Sequence, residues 1–208
     1  DYNSYFNDVH RYDIKTNTWE KWSTSNPPTE RESLASVIYS SYMWIFGGVD
    51  TDSTIYDDVH KLYLQGKSWT KVTPSGDDKP SARRSHTGTL YGNKMIVFGG
   101  RDSSTVSSND VYELRLEGSG TWSKRTTTGT KPSSRHSHSA LLWKDALIIF
   151  GGQDQSTTIL NDMYSLDLKT NVWTKITGSG SVPSARYCIG GATALLPNDK
   201  MVLFGGTE

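Results

Sequence analysis

Cysteine is almost missing from this chain. Cys188 stands alone among 208 residues, so no internal disulfide can form and packing must hold the fold. A lone thiol suits a reducing compartment, and no Asn opens an N-x-Ser/Thr sequon, so the expected setting is cytoplasmic. An excess of one charge is also missing: Lys plus Arg number 22, and so do Asp plus Glu. A nucleic-acid backbone is therefore not the expected main partner, since phosphate contacts call for a basic surplus. No apolar run approaches the roughly 18 residues of a membrane span, and neither membrane insertion nor a secretory leader is expected. The G-x-S-x-G elbow, the P-loop, H-E-x-x-H and paired C-x-x-C are all absent. Gly178 to Ser181 is a low-complexity loop rather than a nucleophile turn.

Large aromatics are plentiful, with seven Trp and eleven Tyr, and they supply wide apolar faces from few residues. Their placement is periodic. Phe-Gly-Gly begins at Phe46, Phe98, Phe150 and Phe204, at spacings of 52, 52 and 54, giving the glycine pairs Gly47-Gly48, Gly99-Gly100, Gly151-Gly152 and Gly205-Gly206. A Trp recurs at Trp19, Trp69, Trp122 and Trp173, spaced 50, 53 and 51. An Asx-Asp-Val/Met step places Asp8, Asp58, Asp110 and Asp162 at spacings of 50, 52 and 52. P-x-x-R ends at Arg31, Arg83, Arg135 and Arg186. Four markers in one order and one period define a repeated unit of about 52 residues.

Each unit reads as four short strands, a to d. Ser137 to Trp143 is strand a, and Ala146 to Phe150 is an apolar run too short for a helix and closed by two glycines. In DMYSLDL, Tyr164, Leu166 and Leu168 share one face; His10-Tyr12-Ile14, His60-Leu62-Leu64 and Tyr112-Leu114-Leu116 are the matching faces. Val172 to Ile176 is the Trp strand. A four-stranded sheet of this size cannot cover both faces alone, so copies must stack in a ring or solenoid, and the unit length points to an all-β propeller. The units fall at 1–22 (strands c and d), 28–76, 80–126, 132–177 and 183–206 (strands a and b), or three whole blades and two halves. The halves either close a four-bladed ring or belong to a larger one.

Double glycine after an apolar strand, N-D-x-Y-x-L-D, Trp and P-x-x-R-x-S-H together resemble the Kelch repeat, in the V-F-G-G form of the Rab9-effector and leucine-zipper-like-regulator types. The match covers essentially the whole chain. It departs at Glu32-Ser33-Leu34 and Tyr187-Cys188-Ile189, where sibling repeats carry x-Ser-His. The resemblance implies a non-catalytic protein-interaction module without a cofactor, part of a larger scaffold, adaptor or trafficking protein with further Kelch blades. Some Kelch propellers are copper oxidases, sugar mutarotases or iron-assisted specifiers, which makes a Kelch enzyme the alternative.

The recurring side chains are read as structural. Phe is expected between sheets, with the glycines in a backbone state that a Cβ would penalise. Each arginine should pair with an acid or carbonyl of its own blade: Asp58, Asp110 and Asp162 are the candidate acids, and Asp8 would serve Arg186 only in a closed ring. His86 and His138 are replaced by Leu34 and Ile189, and His10 and His60 by Tyr112 and Tyr164, so these histidines are packing residues. His136 and His138 form an H-x-H pair on one strand face but lack a third ligand at fitting spacing, so no metal site is expected. Cys188 takes the place of Ser33, Ser85 and Ser137 and should be a small buried residue. Recognition is left to the loops, whose residues differ between copies. The Kelch resemblance implies that the b–c loops (49–57, 101–109, 153–161) and d–a loops (23–30, 73–79, 126–131, 177–182) open onto one face. Asp50, Asp52, Lys79, Arg101, Asp102, Lys131, Gln153 and Asp154 are its candidate partner-binding residues.

Overall fold

The structure, a computed structural model, describes residues 4–188 and 193–208; Tyr2 and Ile189 lie outside them. Every regular element among these residues is a strand. Blade one is the meander β3 (Ala35–Tyr39), β4 (Tyr42–Phe46), β5 (Val59–Tyr63) and β6 (Ser68–Val72). Blade two repeats it with β7 (Thr87–Tyr91), β8 (Lys94–Phe98), β9 (Val111–Arg115) and β10 (Thr121–Lys124). Blade three holds β13 (Ser139–Trp143), β14 (Ala146–Asp154), β15 (Ile159–Asp167) and β16 (Val172–Ile176), joined by the short β11 (Thr128–Gly129) and β12 (Arg135–His136). The half blades are the hairpins β1 (Val9–Asp13) with β2 (Thr18–Trp22), and β17 (Thr193–Leu196) with β18 (Lys200–Leu203).

The Trp of each fourth strand lies opposite the leucine of the third: Trp69 with Leu62, Trp122 with Leu114, Trp173 with Leu166. Both then face the preceding blade. Trp122, Leu114 and Met95 pack with Val37, Trp44 and Phe46 of blade one. Trp173, Leu166 and Tyr164 pack with Ile96 and Phe98 of blade two. The contact at the centre is aromatic, with Phe46 4.9 Å from Trp122 and Phe98 5.2 Å from Trp173 between ring centroids. These are ordinary tilted and edge-on distances for favourable ring pairs.

The double glycines sit where blades meet. Gly47 and Gly48 have φ of 70° and 97°. A Cβ on Gly47 would stand 2.7 Å from the Arg83 carbonyl and 2.8 Å from the His86 ring. The left-handed backbone and this close approach together exclude any side chain. The Gly48, Gly100 and Gly152 amides donate to the carbonyls of Arg83, Arg135 and Arg186 in the next repeat. The outer edge is covered as well. The segment leaving each blade runs parallel to the edge strand of the next, through Ser25 to Ser68, Ser75 to Thr121, and β11 to β16. Those bonds occupy backbone groups that an open edge would offer to other chains.

The two half blades form separate two-stranded sheets. The outward face of the first is uncovered: Tyr12, Ile14 and Trp19 are exposed, Trp19 at 72% against 1–6% for its three siblings. The face His10-Tyr12-Ile14 is therefore not the packed face its counterparts are, because no described strand lies against it. Phe204 is likewise 82% exposed where Phe46, Phe98 and Phe150 are at most 3%.

Candidate partner-binding face

Arg31 and Arg135 fill the role read from the repeat. The Arg135 guanidinium is fully buried, and all five of its N–H groups are used. Nε donates to the Ser133 carbonyl, Nη1 to the Gly151 carbonyl and Asp162 Oδ1 (2.6 Å), and Nη2 to Ser133 Oγ and Asp162 Oδ2 (3.1 Å). Arg31 makes the matching bonds to Thr29, Gly47 and Asp58. Burial alone would raise the Asp58 carboxyl, but hydrogen bonds from His60 and Arg31 outweigh it and hold the group well below the usual carboxylate range. The arginine thus ties the loop after P-x-x-R to the glycine pair and to the start of the third strand.

Arg83 and Arg186 pair with carbonyls of their own repeats instead of with the candidate acids. Asp110 bonds to Lys124 at 3.0 Å, and no bond joins it to Arg83. Asp8 bonds to His10 and Lys21, because the strand that carries it belongs to the half blade at the other end of the structure. Among the described residues Arg186 bonds to the carbonyls of Ser184 and Gly205 and to the Ser184 hydroxyl.

His86 and His138 are buried against Phe46 and Phe98, their rings edge-on at 5.2 and 5.0 Å. Desolvation, with Arg83 nearby, lowers His86 to about 3, and desolvation lowers His138 well below the ordinary value. His136 and His138 do not share a continuous strand face. Ser137 has φ of 55° and separates β12 from β13, so His136 bonds to Ser107 Oγ while His138 Nε2 reaches Thr87 Oγ1. Among the described residues no three His, Cys, Asp or Glu side chains cluster as metal ligands.

Two roles escaped the sequence reading. Ser33, Ser85, Ser137 and Cys188 all adopt left-handed φ of 55–57° and line a cavity of about 290 Å³. The Ser85 amide donates to the Ser33 carbonyl at 2.9 Å and that of Ser137 to Ser85 at 2.8 Å, an inter-blade ladder. Cys188 is exposed at the end of this series rather than buried as expected. The Asx residue was also missed: the Nδ2 groups of Asn7, Asn109 and Asn161 donate to the carbonyls of Pro28, Pro132 and Pro183. An amide one position before each recurring Asp was the available signal. Asp57 replaces it in one copy and pairs with Lys79 at 2.7 Å.

The b–c and d–a loops meet in a shared cavity: Lys79 and Ser81 line one side and Gly100, Asp102 and Val106 to Asp110 the other. Asp50, Asp102 and Asp154 each turn a carboxylate oxygen onto backbone amides of their own loop, at Asp52 and Thr54, at Val106, and at Ser156 and Thr158. Tyr56 also donates to Asp50, which lowers that carboxyl. These acids fix loop shape first. Arg101 Nε donates to the Thr105 carbonyl and Gln153 Nε2 to that of Thr157, whereas Lys131 and Asp52 are exposed. Adjacent loops are bridged by Gln155, which accepts from the Ser107 amide and donates to the Thr105 carbonyl.

The family model for the KLHDC2/KLHL20/DRC7 Kelch-repeats domain matches residues 1–89 and 50–208. Kelch domain-containing protein 3 of Rattus norvegicus is 31% identical over 97% of this chain and 54% of its own length. Host cell factor 2 of Homo sapiens is 32% identical over 96% of the chain and 27% of its length. The leucine-zipper-like transcriptional regulator 1 homolog of Drosophila melanogaster is 29% identical over 97% and 21%. The chain therefore spans about half the length of the first of these relatives and less of the others. With the glycine pairs, the buried arginines and the Trp–Phe contacts in place, the chain belongs to the Kelch-repeat family of β-propellers.

Proposed function

We propose that this chain is a non-catalytic protein-interaction unit of a larger Kelch propeller, part of a scaffold, adaptor or trafficking protein, and that the b–c and d–a loops carry its partner. One observation supports this above others: matched loop positions on a repeated frame hold different chemistry. Directly after the glycine pair stand Val49, buried at 4%, then Arg101, then Gln153. A face that varies from copy to copy is what an asymmetric partner requires. The open Trp19 and Phe204 supply the reason to expect further blades: in complete interfaces that Trp and Phe meet each other across blades. Lys79, Arg101, Asp102, Lys131 and Gln153 are the proposed contact residues.

Affinity capture with the loops 101–109 and 153–161 intact and scrambled tests the reading. A captured protein should be lost on scrambling while the β-sheet circular dichroism persists. Unchanged capture by a folded, scrambled variant would place the partner elsewhere.

A further inference from the structure

The recurring aspartates choose between two cations. One is the arginine of P-x-x-R, and the other is the lysine two residues after the recurring Trp: Lys21, Lys71, Lys124 or Lys175. Asp162 takes the arginine, with its oxygens 2.6 and 3.1 Å from Nη1 and Nη2 of Arg135, and Lys175 stands over the Tyr164 ring at 5.9 Å. Asp58 also takes the arginine, 2.6 Å from Arg31, and leaves Lys71 at 3.7 Å. Asp8 and Asp110 take the lysine instead, 3.1 Å from Lys21 and 3.0 Å from Lys124.

The choice made by Asp110 leaves a buried arginine behind. Arg83 is 3% exposed and bonds to the Ser81 carbonyl and hydroxyl and to the Gly99 carbonyl. Burial lowers its pKa, as for a cation without a close counter-charge. Asp110 and Arg83 line one cavity of about 510 Å³, so the carboxylate has room to turn from one cation to the other. Lys124 has a second partner too, since its Nζ lies 5.5 Å from the Tyr112 ring, as Lys175 lies near Tyr164. Opposing terms keep the two arrangements close in energy. The outer one keeps a half-exposed pair that water and salt weaken. The inner one gives the buried guanidinium its counter-charge but takes the carboxylate further out of water.

We propose that Asp110 is a two-position switch: the charge on Lys124 holds it on the outer strand, and loss of that charge turns it inward onto Arg83, in the two-pronged arrangement that Asp162 makes with Arg135. The inward turn ties the segment around Arg83 to the start of β9 and reshapes the cavity between Lys79 and Asp102. A change of charge on β10 is thereby felt between the loops. The switch uses only groups of this chain and stands apart from whether those loops bind a partner.

The test is a double-mutant cycle read by urea unfolding. Lys124→Met removes the charge and keeps most of the stem. In the parent, Asp110→Ala should lower the midpoint by less than about 0.5 M. In the Lys124→Met background it should lower the midpoint by about 1.5 M, the loss expected for Asp162→Ala. Lys124→Met alone should leave the midpoint at or above that of the parent, and Lys175→Met should leave the cost of Asp162→Ala unchanged. In ¹⁵N spectra of the arginine side chains, Arg83 N–H exchange with water should slow in Lys124→Met and recover when Asp110→Ala is added. A loss below about 0.5 M for Asp110→Ala in both backgrounds, or Arg83 exchange that Lys124→Met leaves unchanged, would overturn the proposal.

Discussion

Replacing Asp162 by Ala should be far more damaging than replacing Asp110 by Ala, although the two acids occupy one position of the repeat. In blade three the change removes both carboxylate oxygens from a guanidinium that is 0% exposed, leaving two N–H groups and a charge without a partner. Breaking a buried pair typically costs about 3–5 kcal/mol, and the 21% exposure of the Asp162 side chain admits some water, so about 3 kcal/mol is expected. In blade two the same change removes only a pair with Lys124, in which both side chains are more than 40% exposed. Such surface pairs contribute at most about 1 kcal/mol. With a urea slope of about 2 kcal/mol/M, the midpoint falls by about 1.5 M for Asp162→Ala and by less than about 0.5 M for Asp110→Ala. The assay is urea unfolding followed by Trp fluorescence, with both slopes checked against the parent. Equal losses would refute the reasoning, since they would mean that Arg83 draws on Asp110 as Arg135 draws on Asp162.

Acid should destabilise the fold through its buried histidines. Folded-state values of His86 and His138 lie below the ordinary one, so the unfolded chain binds protons first; stability is complete above about pH 6.5 and declines as pH falls toward 4, by about 1.4 kcal/mol per pH unit for each histidine. His86→Leu, which copies Leu34, should remove about half of that slope in urea midpoints measured from pH 7 to 4, and an unchanged slope would contradict it. Gly99→Ala places a Cβ 2.6 Å from the Arg135 carbonyl at φ of 67° and should cost more than about 4 kcal/mol, whereas Gly92→Ala, at φ of 59° in open space, should cost about 1–2 kcal/mol. Comparable thermal midpoints for these two variants would remove the steric account. Trp19→Ser with Phe204→Ser should reduce self-association in sedimentation velocity without lowering the urea midpoint, because both side chains are exposed.

The frame was legible because its signals are local and repeated. Val172 to Ile176 is strand β16 as its residues suggest, and the Phe-Gly-Gly step shows its purpose in the φ values and contacts of Gly47 and Gly48. What escaped depends on geometry between blades. Nothing adjacent to Asp110 says that Lys124 will hold it away from Arg83, since the choice is made across two strands and a cavity. The left-handed Ser137, which splits His136 from His138, was hidden inside an apparent strand, because its reason is a hydrogen bond to Ser85 in the neighbouring repeat. Asp50, Asp102 and Asp154 read as candidate partner-binding acids, yet each folds back on its own loop, a pairing that sequence spacing alone leaves open.

The central claim divides the molecule into a repeated frame that holds blades together and irregular loops that recognise. It is tested most directly by one variant carrying Lys79→Ala, Arg101→Ala, Lys131→Ala and Gln153→Ala, measured side by side for urea midpoint and for retention of the captured partner. The division predicts an unfolding free energy within about 0.5 kcal/mol per site of the parent and at least a tenfold loss of retention. Retention unchanged in the folded variant would contradict it.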